Sequence, residues 1–145
     1  MELCDLTAAE IAAQVRVGKV SAVEVLASTQ SRIEAVDGRS GALDAEASVA
    51  DDRHVHAFIT RTPERARAQA EAVDRKLAAG EDPGPLAGVP FTVKDIFCVQ
   101  DTPSTAASRI LANFVSPYTA TPVSRLEASG AVMVGKVNLD EFAYG

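Results

Sequence analysis

A lysine stands inside an apolar run in Val89-Pro-Phe-Thr-Val-Lys94-Asp-Ile-Phe97, just after the turn-forming residues Gly84-Pro85 and Gly88. An ammonium group with such neighbours has three physical outcomes. It reaches water along its own aliphatic stem, it pairs with a carboxylate such as Asp95, or burial penalises its charged form and makes it a usable base. The third outcome is chemistry, because a base beside a hydroxyl turns a poor nucleophile into a competent one. The residues alone favour a plainer picture, a strand-end lysine paired with Asp95 or pointing to solvent.

Other residues that could do chemistry carry weaker patterns. In His54-Val-His56-Ala-Phe-Ile59 the period of two puts both imidazoles on one side of a short strand. No third ligand follows at a metal-site spacing, so two partly exposed histidines are expected and no metal. Gly130-Ala-Val-Met-Val-Gly-Lys136 begins like a phosphate-binding loop, but Val137 stands where a Ser or Thr should reach magnesium. The residues between its glycines also form a β-run, not an open loop of amide donors. Gly135 is therefore expected to end a buried strand and Lys136 to start a loop toward Asp140-Glu141, an acidic helix N-terminus. Cys4 and Cys98 are far apart and no secretory signal precedes them, so both are expected to be reduced thiols acting as small hydrophobes.

The elements that must position these residues are readable from caps and stripes. Thr7-Ala-Ala-Glu10 and Ser21-Ala-Val-Glu24 are capping boxes for two helices separated by Gly18. Ala22, Leu26, Thr29, Ile33 and Val36 form one apolar stripe on the second. A third helix starts at Thr62-Pro63, buries Ala66, Ala70, Val73 and Leu77, and stops at Gly80. Its charged residues, Glu64, Arg65, Arg67, Glu71, Asp74, Arg75 and Lys76, read as a solvated face. Asp37 to Arg53, with its Gly, Ser and acidic residues, reads as a surface loop without periodicity, dispensable for folding. Beyond it, Phe91 to Phe97 is a strand, Thr121-Pro122 starts a helix through Ala128, Gly130 ends that helix, and Ala131 to Val134 is a buried strand. That order is a βαβ unit beside a helical layer, an α/β fold with a mixed, largely parallel sheet.

Composition sets limits on function. The 145 residues are 47% hydrophobic but only 5% aromatic, without Trp, so the core must be built from Ala, Val, Leu and Ile. A net charge of −6 argues against direct capture of a nucleic-acid backbone. No run is long enough to span a membrane, and the expected location is the cytoplasm.

Leu86-Ala-Gly-Val-Pro-Phe-Thr-Val-Lys94-Asp-Ile-Phe97, Thr102-Pro-Ser-Thr-Ala-Ala-Ser-Arg-Ile-Leu111 and Gly130-Ala-Val-Met-Val-Gly-Lys-Val-Asn-Leu-Asp-Glu-Phe-Ala-Tyr-Gly145 resemble, in order and spacing, the amidase signature family. Within it, Lys136-Val-Asn-Leu-Asp-Glu-Phe-Ala143 is most similar to the A subunits of the glutamyl-tRNA(Gln)/aspartyl-tRNA(Asn) amidotransferases. The resemblance implies the N-terminal part of a single amidase domain over residues 1–145, helical over about 5–80 and βαβ over about 86–145, with an insertion at 37–53. It also implies amide hydrolysis by a Ser, bridging Ser, Lys triad in which Lys94 is the base. Both serines are expected after Gly145, since Ser104 and Ser108 lack the Gly-rich surroundings of an acyl-transfer serine. The 145 residues alone are thus expected to be catalytically silent and loosely folded.

Further expectations rest on the same resemblance. The substrate is glutamine, whose ammonia serves transamidation of misacylated tRNA; the B and C subunits are partners, with tRNA, ATP and Mg held at a partner and no cofactor on this chain. Tyr144 and Gly145 would line the substrate pocket. The pattern departs at Tyr144, where Met is usual, at Asp101, where Gly is usual, and at Thr119, where Asp is common, and the Tyr would narrow or polarise the substrate pocket. Alternatives are a stand-alone amidase on another small amide and a non-catalytic truncated chain that binds a partner.

Overall fold

The computed structural model describes residues 2–38 and 53–145. Both capping boxes are in place. The Glu10 carboxylate accepts the Thr7 N–H at 2.8 Å while Thr7 Oγ1 accepts the Glu10 N–H at 3.3 Å, opening α1 (Ala8–Arg16). Glu24 and Ser21 repeat the exchange at 2.8 and 3.1 Å to open α2 (Ala22–Asp37). Gly18, at φ +69°, supplies the left-handed turn between them. The remaining elements are β1 (Phe58–Arg61), α3 (Pro63–Ala78), β2 (Pro90–Lys94), α4 (Thr121–Ala128) and β3 (Val132–Val137).

The chain forms two compact units whose segments alternate along the sequence. The first comprises Met1–Arg32, Thr62–Phe91 and Arg125–Val134. Its core joins Ile11 and Val15 of α1, Val25 and Leu26 of α2, and Ala66, Ala70 and Val73 of α3 to Val132–Val134 of β3. The turn before β2 packs tightly on α1 and α2: a Cβ on Gly88 would lie 3.1 Å from both Ala22 Cβ and Val15 Cγ2. Thr62 is the N-cap residue of α3, its carbonyl accepting the Ala66 N–H at 2.9 Å, but its side chain makes no cap bond to the helix and its hydroxyl donates to the Met133 carbonyl at 3.1 Å. The charged face, read as solvated, needs correction. Asp74 accepts the Ala22 and Val23 N–H groups at 2.7 and 3.2 Å, satisfying free donors at the start of α2, and Arg65 pairs with Glu127 at 2.8 Å.

The second unit comprises Ile33–Arg61, Thr92–Ser124 and Gly135–Gly145. Asp37, read from sequence as the start of a surface loop, is instead the buried last residue of α2. Its carboxylate accepts the Ala57 N–H at 2.5 Å and pairs with Arg61 at 3.5 Å, so it closes the approach to β1. The proposed insertion falls almost wholly outside the described residues. The histidine strand is also corrected: β1 begins only at Phe58, and His56 is left-handed at φ +53°. The two imidazoles meet edge to face with centroids 6.0 Å apart, and among the described residues no cluster of His, Cys, Asp and Glu could hold a metal.

The three strands form one sheet in the order β1-β3-β2. β1 pairs antiparallel to β3, with an irregularity between Phe58 and Thr60. β2 runs parallel to β3, because partners advance together: the Val132 N–H donates to Val89 O at 2.8 Å and the Asp95 N–H to Val137 O at 3.0 Å. β3 is longer than read, continuing through Gly135 and Lys136 to Val137. Gly135 does not end the strand; it permits the irregular pairing, since a Cβ there would lie 2.6 Å from Thr60 O and 2.7 Å from the Phe58 ring. β2, conversely, stops at Lys94, where a turn replaces the expected continuation to Phe97. Among the described residues no helix is long and apolar enough to cross a membrane.

Candidate active site

Lys94 is the last residue of β2 and its side chain is exposed. Strand alternation explains this: Val93 and Asp95 turn inward, so Thr92 and Lys94 turn outward. The apolar letters around Lys94 therefore do not enclose it in this chain, and Asp95, on the opposite side, cannot be its partner. Among the described residues the Lys94 ammonium makes no hydrogen bond or ion pair.

The desolvated lysine is Lys136. Its side chain and that of Asp95 are both fully buried, with Nζ 2.9 Å from Oδ1. Nζ also donates to Ser104 Oγ at 2.6 Å and to the Pro103 carbonyl at 2.7 Å, and lies 3.4 Å from the Asp95 carbonyl. Burial pushes the Lys136 pKa below its ordinary value, opposed by the neighbouring Asp95 carboxylate. Asp95 Oδ1 faces Lys136 as a charge contact without an aligned hydrogen bond, whereas Oδ2 accepts both the Thr105 N–H at 2.9 Å and the Thr105 hydroxyl at 2.5 Å. Sequence reading missed this pair. The available signal was a lysine within a continuous apolar run, Val132 to Val137, the same signal that drew attention to Lys94.

From Thr105 the network continues into strained backbone. Ala106 and Ala107 are left-handed at φ +50° and +56°, as are Phe142 and Ala143 at +54° and +58°. The two stretches are joined by the Phe142 N–H on Ala106 O at 2.9 Å and by the Ser108 hydroxyl on Glu141 at 2.5 Å. Four non-glycine residues in this region persist only where surrounding contacts hold them, and such strain concentrates at functional sites. Ser104 and Ser108 are buried, Ser104 accepting from the Lys136 ammonium and Ser108 donating to Glu141. Glu141 opens a short 3-10 turn, Glu141–Ala143, after which Tyr144 is 94% exposed. Near Tyr118 and then Ser116, the thiol pKa of Cys98 is lowered from its ordinary value.

The Amidase family model matches residues 45–145. The chain belongs to the amidase family. Over 94 residues, 65% of this chain, it is 60% identical to the A subunit of the glutamyl-tRNA(Gln) amidotransferase of Gloeobacter violaceus, of which it covers 19%. Over its full length it is 46% identical to the protein of the same name from Moorella thermoacetica, covering 27% of it. The amidase chain thus spans about a quarter or less of the length of these relatives. Among solved structures, native peptide amidase from Stenotrophomonas maltophilia superposes with a TM-score of 0.80 at 28% identity, over 97% of this chain and 26% of that one. A protein of a vestigial complex that reveals the evolutionary origins of an s-triazine catabolic enzyme gives 0.83 at 37%, over 97% and 28%. The amidase-signature fold is therefore that of this α/β chain.

Two of the family departures have local explanations. Asp101 is left-handed at φ +61°, a conformation that suits the usual glycine and that Asp tolerates. Thr119 Oγ1 accepts the Gln100 N–H at 3.0 Å, an acceptor role that an Asp carboxylate also fills.

Proposed function

We propose that this chain is the N-terminal part of the glutamine-hydrolysing component of a tRNA-dependent amidotransferase, and that Lys94 is the base of its acyl-transfer site. The observation that carries the reading is the 60% identity to the A subunit of a glutamyl-tRNA(Gln) amidotransferase, over 94 residues. Lys94 suits the role because it is exposed and unpaired among the described residues, free to meet a serine pair supplied by sequence after Gly145. Covered by that sequence, its ammonium would lose solvent and become a better base. Ammonia released from glutamine would then serve transamidation of Glu-tRNA(Gln) or Asp-tRNA(Asn). The B and C subunits complete the assembly in the cytoplasm, one of them holding tRNA, ATP and magnesium, which accords with the acidic balance of this chain. The exposed Tyr144 and Gly145 border the glutamine pocket in this reading.

A second reading, a stand-alone amidase on another small amide, draws on the likeness to peptide amidase and on Tyr144 in place of the usual Met. One experiment separates the two. The full-length polypeptide is purified with and without its copurifying partners, and ammonia release is measured from glutamine, asparagine and simple amides. Copurification of two further polypeptides and preference for glutamine support the first reading; a monomer that prefers another amide supports the second.

A further inference from the structure

The mechanism of amide hydrolysis asks nothing of Lys136, yet this residue is a fully buried charge whose ammonium is placed against four oxygens. It is no candidate for a second base: Lys136 is fully buried, and the one hydroxyl it contacts, that of Ser104, is buried as well. Stability is a poor explanation as well, since a buried ion pair often does no better than apolar residues of the same volume. Its location suggests another purpose. Asp95 directly follows Lys94, and it is gripped at every polar group: its N–H by Val137 O, its carbonyl and Oδ1 by Lys136, its Oδ2 by Thr105. Consecutive Cα atoms are held about 3.8 Å apart, so fixing Asp95 restrains where the Cα of Lys94 can lie.

We propose that the Lys136–Asp95 pair is a positioning device for Lys94, fixing from inside the fold the backbone from which the exposed Lys94 ammonium projects. The proposal rests on the reading of Lys94 as base. The same pair, through Thr105, anchors the left-handed Ala106–Ala107 stretch and its link to Phe142, so base and strained loop share one buried fixing point. Lys94 needs such a device because it makes no contact of its own: an unpaired, exposed lysine has many rotamers, and only its Cα position is set by the fold. A misplacement of about 1 Å in a reacting group is worth on the order of 10²-fold in rate.

The test uses the full-length polypeptide, with ammonia release from glutamine as the readout. The double variant Lys136→Met/Asp95→Asn removes both charges together while keeping an acceptor for Thr105. It should lower kcat by roughly 10- to 100-fold, leave KM for glutamine within about threefold, and leave the acid limb of the kcat/KM profile in place, since the base is unchanged. Ser104→Ala, which deletes only one Lys136 acceptor and so costs some stability but should leave the protein folded at the assay temperature, should lower kcat by about threefold or more at unchanged KM. It decides the question if the double variant does not fold. Full kcat in Ser104→Ala, or in a folded double variant, overturns the proposal. Lys94→Ala separates the two levels. If that variant is inactive while the positioning variants keep full kcat, positioning alone is wrong; if it stays active, the base assignment falls and positioning with it.

Discussion

Lys136 and Asp95 lie 41 residues apart in sequence and form an ion pair of 2.9 Å in which neither side chain is exposed. Two charges in such a place are tolerated only together. Lys136→Met strands a buried carboxylate and should destabilise by roughly 3–5 kcal/mol, whereas Lys136→Met/Asp95→Asn should recover most of that loss. Urea unfolding of both variants measures it. A single variant within about 1 kcal/mol of wild type would show that water reaches Asp95.

The capping boxes predict an acid limb. Hydrogen bonds from the backbone and hydroxyl of Thr7 lower the pKa of Glu10, and those of Ser21 lower that of Glu24, below the ordinary 4.5. A carboxylate whose folded pKa is lowered contributes stability that is present above 4.5 and lost as pH falls through the folded value. Unfolding measured from about pH 5 to about pH 3 should therefore be less pH-dependent in Glu10→Gln/Glu24→Gln than in wild type. Identical slopes would mean that these contacts do not persist in solution.

What was legible in the sequence was local. Capping boxes, the glycine turn at Gly18 and the bounds of α4 follow from contacts within a few residues, and each is found where the residues place it. The side of a strand on which a residue lies is not local. Lys94 and Lys136 both sit in apolar runs, but only pairing decides which is buried: Lys94 ends an alternating strand, while β3 is enclosed from Val132 to Lys136. The ion-pair partner of Asp95, Lys136 on β3, and the strain at Ala106 and Phe142 come from segments brought together over 30 residues or more, and no motif announces them. Asp101 is the exception, for its departure from glycine coincides with a left-handed backbone.

That coincidence is itself testable. Glycine at position 101 gains freedom from left-handed strain, about 1–2 kcal/mol for an ordinary residue and less for Asp, but loses roughly 0.5–1 kcal/mol in chain entropy. The two nearly cancel, so Asp101→Gly should change stability by less than about 1 kcal/mol. Asp101→Val keeps the strain and adds a branched Cβ, and should lose about 1–2 kcal/mol. Equal stability of the glycine and valine variants would contradict the left-handed turn.

The central claim is that Lys94 is the base for amide hydrolysis, and steady-state kinetics on the full-length polypeptide tests it most directly. Lys94→Ala should lower kcat/KM for ammonia release from glutamine by at least about 10²–10⁴-fold, the contribution of a positioned proton acceptor. Lys94→Arg should be nearly as inactive, because a guanidinium does not give up its proton. A folded variant of either kind that keeps more than about a tenth of wild-type kcat/KM, a difference of only ~1.4 kcal/mol, would contradict the account.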